Sequence, residues 1–560
     1  MLKFDSLTLK AFIKENTDYL LNSSVRKIQQ PSRRELIFHL RNNGINKKLY
    51  ININPEFFHV CFLEDVEKRG IIIPNAAPMF CMLLRKYILN CKISKVKQPY
   101  GERILELYFE YSDAIGETET LCLAIELMGK YSNIILYNKK TGIILGCAHN
   151  VGEEKSKVRE LAGTLPYIYP EKQEKIDLTK INEKDFINNL DGNFDETSLS
   201  FTLSSEYDYL TIPLVKQAIS KANEKTGKST VNQQIFLRSL YEILIETIEL
   251  KKFTPSIKRD YTEFTLIENS KEFTAECTVN SMIDKYFEYQ QIQNILKQKK
   301  SKLSKILENK IKKVTKLSDI QKEKMNLSKK ADKYKQKADT LMMNLNAEIT
   351  PKMLLTNPYD DTVIEIEPDV NLTVIQNANK YYKLYKKMKT ASEYATKMIE
   401  ETKETLAALD EQMFYVSIAT NLDEISELET ELGISTTEQN KNKNKKHTIN
   451  LECHEIGGFK IYLGKNSIQN DYLLSKIAAP EDLWFHPSNM PGAHVILKKN
   501  NSKENIPDEV LLQCAKLTKR FSKTQNNSRI PVIYTERKYV KKANSKIAFV
   551  TYKNEKEIYC

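Results

Sequence analysis

The sequence has few of the features that are typical of secreted proteins, membrane-spanning proteins and proteins stabilised by a bound metal. It has nine cysteines but no C-x-x-C pair, since the closest two, Cys81 and Cys91, are ten residues apart. This spacing predicts neither a disulfide framework nor a zinc knuckle, and it fits a reducing compartment. The first residues lack an apolar signal core, and no apolar run is long enough to cross a bilayer. We therefore expect a cytoplasmic protein without a membrane partner.

Positive charge is concentrated in two segments. The chain has a formal net charge of +12. Residues 297–339 hold 16 lysines against five acidic residues, and residues 451–560 hold 18 basic against 11 acidic residues, so the remainder is net negative. Two basic segments favour a polyanionic partner. A lysine-rich helix is also a common solvated surface, so the first segment is compatible with both interpretations.

Length and pattern divide the chain into several domains. A chain of 560 residues is too long for one hydrophobic core, and 41% hydrophobic residues exclude wholesale disorder. Short alternating strands with one helix predict an α+β domain over 1–165, followed by a mainly helical region over 166–275. Helical periodicity dominates 276–434, a polar linker is predicted over 435–449, and a final small α+β domain over 450–560. The whole is predicted to be a multidomain α+β protein.

The region 276–434 predicts a long antiparallel coiled-coil hairpin. A compact insert at about 346–371 separates its two halves and contains an alternating stretch, 362–366, that predicts a strand. Polar residues interrupt the seam, which should therefore be marginal. The predicted apolar seam positions are Leu296, Leu303, Leu307, Val314, Leu317, Ala331, Ala338, Met342 and Leu345 in the first half, and Leu384, Met388, Ala391, Ala395, Met398 and Leu409 in the second.

The single tryptophan lies in the most distinctive stretch of the chain. Residues 482–486 and 493–497 alternate as two short strands around a Pro-Gly turn. Alternation puts Trp484 and His486 on one strand face and His494 on a face of the next strand. This group predicts either a platform on which RNA bases stack, or core packing with histidines that cap the turn.

The sequence resembles the NFACT family, in particular its bacterial RqcH and fibronectin-binding protein A group. In the last domain the resemblance rests on the stretch just described and on Gly-Lys-Asn-Ser-Ile-Gln-Asn-Asp-Tyr-Leu at 464–473. The first domain adds three blocks in family order, at 26–36, 78–87 and 126–136. The resemblance implies an NFACT-N domain, helix-hairpin-helix segments, a coiled coil with a middle insert and an RNA-binding NFACT-R domain.

The resemblance further implies a role in ribosome-associated quality control, without enzymatic activity, cofactor or metal. The protein would bind the large ribosomal subunit, through rRNA and stalk-base proteins, while the subunit still carries peptidyl-tRNA. It would recruit alanyl-tRNA, so that the stalled chain gains an untemplated alanine tail that marks it for degradation. The subunit's own peptidyl-transferase centre would form the bonds. A small Hsp15-like protein is a further implied partner.

Site residues also follow from the resemblance. The implied tRNA-binding residues are Glu102 and Arg103, where the family has Asp-Arg, and Glu126, Leu127 and Met128, where it has Glu-Ile-Met. The implied RNA contacts of the last domain are Lys465, Lys476, Trp484, His486 and His494. Lysines supply phosphate contacts, whereas Glu102 keeps a hydrogen-bond acceptor one methylene further out than the family's aspartate.

This sequence departs from the family pattern at three places. The helix-hairpin-helix region near 203–218 lacks the glycine expected at its turn, which puts backbone binding to nucleic acid there in doubt. Residues 541–546 lack the usual Pro-Lys-Gly run. Glu102 in place of aspartate leaves the identity of the tRNA open.

Other functions fit parts of the sequence. A fibronectin-binding surface adhesin follows from the family's older name, and a coiled-coil scaffold without RNA binding is a further alternative. A zinc hydrolase would use His486 and His494 with Asp482, although catalytic zinc needs three ligands in tight geometry. A DNA glycosylase of related fold is rejected because residue 2 is leucine, where that chemistry needs an amino-terminal proline.

Overall fold

The computed structural model describes residues 4–63, 69, 71–112, 116–154, 158–172, 174–190, 195–226, 233–267, 272–328, 330–434, 449–488, 490–501, 504–523, 529–542 and 550–560. They form two compact units, Met1–Asn294 and Ile295–Cys560. The protein is a multidomain α+β fold, as the sequence predicts. All but the last residue of the predicted linker, 435–449, lies outside the described residues, and the finer five-part division stays a prediction.

Two antiparallel sheets form the first part of the chain, with strand orders β1-β2-β3-β4 and β5-β6-β7-β8-β9. The helices α1 and α2 pack against their shared core. The predicted strands and the predicted helix, which is α2, are confirmed, whereas α1 was not predicted. The elements are α1 Ser6–Leu20, β1 Ser24–Ser32, β2 Glu35–Asn42, β3 Ile45–Asn52, β4 His59–Leu63, α2 Met79–Ile88, β5 Ile93–Lys97, β6 Ile104–Ser112, β7 Thr118–Glu126, β8 Asn133–Asn138 and β9 Ile144–Cys147.

The second of these sheets is covered on both faces. On β6, Leu105 and Leu107 belong to the large core, whereas Tyr108 belongs to a smaller cluster on the opposite face. Because both faces are covered by protein, β6 is an almost continuous apolar run. A strand with one face exposed to solvent would instead alternate between apolar and polar residues. Glu106 is the exception within that run, and it is fully buried.

A helical region follows, and a three-stranded sheet of order β11-β10-β12 closes it. In the turn between its second and third helices, Tyr209 has a φ of 65°, which is the left-handed conformation that the missing glycine would supply. The turn therefore forms without glycine. The elements are α3 Glu183–Asn189, α4 Glu196–Glu206, α5 Ile212–Thr226, α6 Gln233–Ile248, β10 Ser256–Lys258, β11 Phe264–Thr265 and β12 Phe273–Ala275.

Long helices dominate the middle of the chain. A capping box starts α9, with the Thr373 hydroxyl and the Gln376 side chain each accepting from the other residue's backbone N–H. The strand predicted in the insert is confirmed as β14, which pairs with β13. The elements are α7 Val279–Ser328, α8 Ala331–Met343, β13 Met353–Thr356, β14 Val363–Ile366, α9 Val374–Ile418 and α10 Leu422–Glu431.

The helical seam follows the predicted heptad frame only in part. Leu303 and Leu307 are buried as predicted, but Leu317 is 40% exposed while Ser318 and Gln321 are buried. The frame is wrong there because a helix of 3.6 residues per turn drifts against a strict seven-residue repeat. It is also wrong at the exposed residues Met342, Leu345, Leu384 and Ala391.

The last domain is a six-stranded sheet of order β15-β16-β18-β17-β19-β22. The two predicted strands around the tryptophan are confirmed as β17 and β18, with Trp484 opposite Ile496. Within the described ranges, no helix combines the length and apolarity needed to cross a membrane. The elements are β15 Glu452–Ile456, β16 Phe459–Gly464, α11 Ser467–Tyr472, a π-helical turn Leu473–Ile477, β17 Leu483–Pro487, β18 His494–Leu497, α12 Asp508–Arg520, β19 Pro531–Glu536, β20 Lys541–Lys542, β21 Val550–Thr551 and β22 Lys556–Tyr559.

Candidate nucleic-acid interface

The pairing of β6 with β7 brings the two predicted tRNA-binding motifs together. Ile104, the first residue of β6, lies opposite Glu126, the last residue of β7. Just beyond this pair, the backbone N–H of Leu127 donates to the carbonyl of Arg103 at 2.8 Å. Glu102 and Arg103 therefore lie beside the Glu126-Leu127-Met128 segment at one end of the sheet, although they are more than twenty residues apart in sequence. We call this end the motif junction.

The turn that carries Glu102 is fixed by its neighbours. The Gln98 side-chain amide donates to the carbonyls of Glu102 at 2.9 Å and Ser6 at 2.8 Å. The Glu102 N–H donates to the carbonyl of Pro99 at 3.0 Å. These hydrogen bonds fix the backbone conformation at Glu102 and Arg103. Both side chains are only partly buried.

Arg103 lies between aromatic and acidic groups. Its guanidinium sits over the Phe58 ring at 5.7 Å from the centroid. Burial lowers the pKa of Arg103, while the carboxylates of Glu102 and Asp5 act in the opposite direction. Asp5 was missed by the sequence analysis. Its local role is recognisable as the N-cap of α1, since it accepts from the Thr8 N–H at 2.7 Å, but only the fold places it near Arg103.

Glu126 is fully buried and therefore cannot touch RNA in this structure. Arg159 donates to both of its carboxylate oxygens, one at 2.8 Å, and the Tyr167 hydroxyl donates to it at 2.9 Å. Leu127 is also fully buried, so Met128 is the partly exposed side chain of the three. The predicted direct contact is corrected for Glu126 and Leu127, because burial makes them supports of the motif junction. A carboxylate that is buried in an ion pair and bound by one further donor, here the Tyr167 hydroxyl, is a positioning group.

A second buried carboxylate lies on the same face of the sheet. Glu106 accepts hydrogen bonds from the hydroxyls of Tyr108 at 2.7 Å, Tyr137 at 3.2 Å and Tyr169. Burial raises the pKa of Tyr108, and the hydrogen bond to Glu106 adds to that shift. Glu106 was not predicted from the sequence, although a lone acidic residue in an apolar strand is a usable signal. Together with the Glu126–Arg159 pair, this cluster ties the segment around Tyr167 and Tyr169 onto the sheet.

In the last domain, the tryptophan is core. Trp484 is fully buried among Leu473, Ile496 and Ile533. His486 stacks on its ring, with centroids 5.5 Å apart and planes 4° apart, and the ring of His494 lies edge-on at 5.4 Å. The predicted stacking platform is therefore wrong for Trp484, since neither ring face reaches solvent.

The predicted RNA contact of Lys465 is likewise corrected by burial. Its side chain is 4% exposed, and its ammonium forms ion pairs with Glu424 at 3.4 Å and with Glu452. Glu424 belongs to α10, so the charge of Lys465 is neutralised within the chain. Lys476, by contrast, is exposed. Among the predicted lysines, Lys476 is the one whose ammonium is open to phosphate.

The whole 464–470 motif docks on α9 and α10. The amides of Asn466 and Gln469 donate to Glu427 at 2.6 and 2.9 Å. The Ser467 hydroxyl donates to Glu431 at 2.8 Å, and the Asn470 amide donates to the Tyr415 hydroxyl at 3.0 Å. The motif thus anchors the last domain to the end of the helical hairpin.

Metal binding has no geometric support at the histidines. Among the described residues, no group of three or more histidine, cysteine or acidic side chains is placed to hold an ion. Asp482 instead accepts from the backbone N–H groups of Ala479 at 2.7 Å and Lys499 at 2.9 Å. The carboxylate that the zinc alternative requires therefore shapes a turn.

Breaking the Glu126–Arg159 pair should destabilise the second sheet of the first unit. Glu126→Gln or Arg159→Met leaves the other partner buried without its counter-charge, which costs about 3–5 kcal/mol. Because the two groups share one interaction, the double variant should lose less than the sum of the single losses. Hydrogen exchange of the β6 and β7 amides in the full chain measures this local stability.

The exposed pair of Lys352 and Glu365, at 2.7 Å with side chains 69% and 48% exposed, is the matched control. Glu365→Gln should leave exchange in β6 and β7 unchanged. Strictly additive losses in the Glu126 and Arg159 double variant would contradict the shared interaction.

The two histidines beside Trp484, of which His494 is buried and His486 partly buried, should make the last domain sensitive to mild acid. Burial lowers the pKa of His486 to about 4 and that of His494 well below its ordinary value. Between about pH 6.5 and pH 4 the unfolded chain therefore binds more protons than the folded domain. The free energy of unfolding therefore decreases as the pH is lowered through that window, by up to about 1.4 kcal/mol per pH unit for each histidine.

Urea unfolding of the full chain, followed by fluorescence of the only tryptophan, tests this expectation. The urea concentration at the unfolding midpoint should decrease as the pH is lowered from about 7 to about 5. The His486→Gln, His494→Gln double variant should show a flatter dependence, whereas equal slopes in both proteins would contradict the assignment to these imidazoles.

Two family models cover nearly the whole chain. The model of the NFACT N-terminal and middle domains matches residues 5–448, and that of the NFACT protein RNA binding domain matches residues 451–551. The sequence is 27% identical over 576 residues to the Rqc2 homolog RqcH of Bacillus subtilis (strain 168), covering 100% of this chain and 98% of that protein. It is 28% identical over 571 residues to the Rqc2 homolog RqcH of Streptococcus pneumoniae serotype 2, covering 100% of this chain and 97% of that protein.

Solved structures align with each half. The N-terminal part of the fibronectin/fibrinogen-binding protein from Streptococcus suis aligns with a TM-score of 0.42 at 21% identity, covering 51% of this chain and 99% of that chain. The C-terminal part of the same protein aligns with a TM-score of 0.37 at 28% identity, covering 47% of this chain and 94% of that chain. Since the two family models together account for residues 5–448 and 451–551, the chain belongs to the NFACT family and carries that family's RNA-binding domain.

Proposed function

We propose that this protein is a ribosome-associated quality control factor that binds tRNA at the motif junction. It would engage large ribosomal subunits that carry peptidyl-tRNA and recruit alanyl-tRNA for untemplated alanine tailing, which marks the stalled chain for degradation. The proposal is supported by membership of the NFACT family and by the full-length likeness to proteins named Rqc2 homolog RqcH. The observation that carries it is the hydrogen-bonded contact between the Arg103 and Leu127 backbones, which joins the two motifs.

The exposed chemistry of the motif junction suits a folded RNA. Arg103 has a planar guanidinium with five donors, which can pair with a phosphate or stack on a base. Glu102 offers acceptors to base-edge amino groups. The guanidinium lies over the Phe58 ring, and the charge of the Asp5 carboxylate favours its protonated form. In this proposal the chain positions tRNA and makes no covalent bond, which remains the work of the subunit's peptidyl-transferase centre.

The second unit would supply ribosome contacts. Lys476 and the other exposed basic residues of the last domain would meet rRNA or peptidyl-tRNA through phosphate contacts, which are salt-sensitive and nearly independent of sequence. The helical hairpin would reach stalk-base proteins, and a small Hsp15-like protein would be a further partner. The site of action would be the cytoplasm.

Arg103→Ala should abolish tRNA recruitment while leaving ribosome binding in place. Losing a charged hydrogen bond costs about 1.5–3 kcal/mol, or about a tenfold to hundredfold loss of tRNA affinity. The measurement is sequencing of RNA recovered with the tagged full chain from cells. The expected result is large-subunit RNA with one alanine tRNA, and loss of the tRNA alone in the variant.

Arg238→Ala is the matched control, since that arginine is 63% exposed on α6. It should recover both RNAs at wild-type levels. Undiminished tRNA recovery and tailing in Arg103→Ala would contradict the proposal. Recovery of a different tRNA by the wild-type chain would keep the tRNA-binding role but contradict the choice of alanine tRNA. The different choice would then be attributed to Glu102, where the family has aspartate.

A further inference from the structure

Two exposed tyrosines flank the motif junction. Tyr100 is 58% exposed and immediately precedes the Gly101-Glu102-Arg103 turn. Tyr131 is 65% exposed and lies three residues beyond Met128. Each sits in a short 3-10 turn, Pro99–Gly101 and Gly129–Tyr131. The sheet pairing that joins the motifs therefore also places one open phenol ring next to each motif.

Tyr100 adopts a backbone conformation that its own ring does not stabilise. Its φ is 54°, in the left-handed region that L residues other than glycine rarely adopt because it is sterically costly. A tyrosine that is mainly exposed gains little burial to offset that cost. Strain of this kind persists when the surroundings impose it, and it concentrates at binding sites.

The turn that contains Tyr100 is closely packed against its neighbours. The following Gly101 has a φ of 68°, and a Cβ there would lie 3.1 Å from the Tyr209 ring. The ring of Tyr169 meets the Tyr100 ring edge-on, with centroids 5.6 Å apart and planes 89° apart. The hydroxyl of Tyr169 is in turn bound to buried Glu106. Tyr100 therefore contacts Tyr169 while more than half of its surface stays open.

Tyr131 is supported in a similar way. Gly129 has a φ of 64° and lies against Phe58, the aromatic ring beneath Arg103. The Met128 N–H donates to the Ser132 hydroxyl at 2.8 Å, which closes the turn. The Lys130 ammonium lies 4.8 Å from the centroid of the Tyr131 ring. The ammonium thus lies over the ring, and Tyr131 is still 65% exposed. Exposed aromatic rings next to cations are what single-stranded nucleic acid meets in its binding grooves.

We propose that Tyr100 and Tyr131 are stacking platforms for unpaired bases of the RNA bound at the motif junction. This inference rests on the proposed function and deepens it, since it names the ligand class as nucleobases of an open loop. Stacking accepts any base, because every base has a π-face. The two rings would therefore supply affinity and orientation, whereas base choice falls to Glu102 and Arg103.

The test is the equilibrium binding of the full chain to purified alanine tRNA and to an RNA duplex of equal length, across a range of KCl concentrations. Tyr100→Ala and Tyr131→Ala should each weaken tRNA binding about tenfold. Tyr100→Phe and Tyr131→Phe keep the ring and should bind within about twofold of the wild type. Tyr394→Ala is the matched control, since that tyrosine is 61% exposed on α9, and it should bind as the wild type does.

Salt dependence separates stacking from charge. The alanine variants should keep the wild-type slope of log affinity against log salt, because stacking releases no counterion. Lys130→Ala should lower that slope by about one. Duplex binding should be unaffected by either tyrosine substitution.

Two results would overturn the inference while leaving the proposed function intact. One is wild-type tRNA affinity in both alanine variants when Arg103→Ala still loses tRNA. The other is an equal loss of tRNA and duplex binding, which would mean that no unpaired base is engaged. A wild-type chain that binds no tRNA would overturn the proposed function itself.

Discussion

The antiparallel pairing of β6 with β7 is the constraint on which the candidate site depends. Its register places Ile104 opposite Glu126, and the next backbone hydrogen bond joins Arg103 to Leu127. A slip of one residue would turn Glu126 from the covered face toward the main core, where Arg159 and Tyr167 cannot reach it. The buried ion pair therefore favours one register, and that register aligns the motifs with their flanking tyrosines.

Charged motif residues act as supports in both units. Glu126 is tied to Arg159, and Lys465 to the carboxylates of Glu424 and Glu452. A buried charge is tolerated only when it is paired and hydrogen-bonded, so these residues cannot be exchanged without loss of the local structure. The side chains open to RNA are their neighbours. A motif residue can thus be essential to the shape of a surface to which its own side chain does not contribute.

Sequence patterns predicted the α+β architecture, the strands around Trp484 and the strand in the helical insert. They failed where the role of a residue is determined by burial or by contacts with residues distant in sequence. Periodicity placed Trp484 and His486 on one face correctly, but it could not tell that both sides of the sheet are covered. Lys465 was expected to meet phosphate because its partner Glu424 lies 41 residues upstream, on an element that no local pattern connects to it. Arg159 and Asp5 were missed for the same reason.

The proposed function requires tRNA to be held at the motif junction. Ultraviolet crosslinking of the full chain to alanine tRNA, with crosslinked peptides and nucleotides identified by mass spectrometry, is the decisive measurement. We expect crosslinks between loop nucleotides and the segments 98–104 and 126–132, and none to 464–470, which α10 already covers. Crosslinks confined to other parts of the chain, with these two segments unmodified, would contradict it.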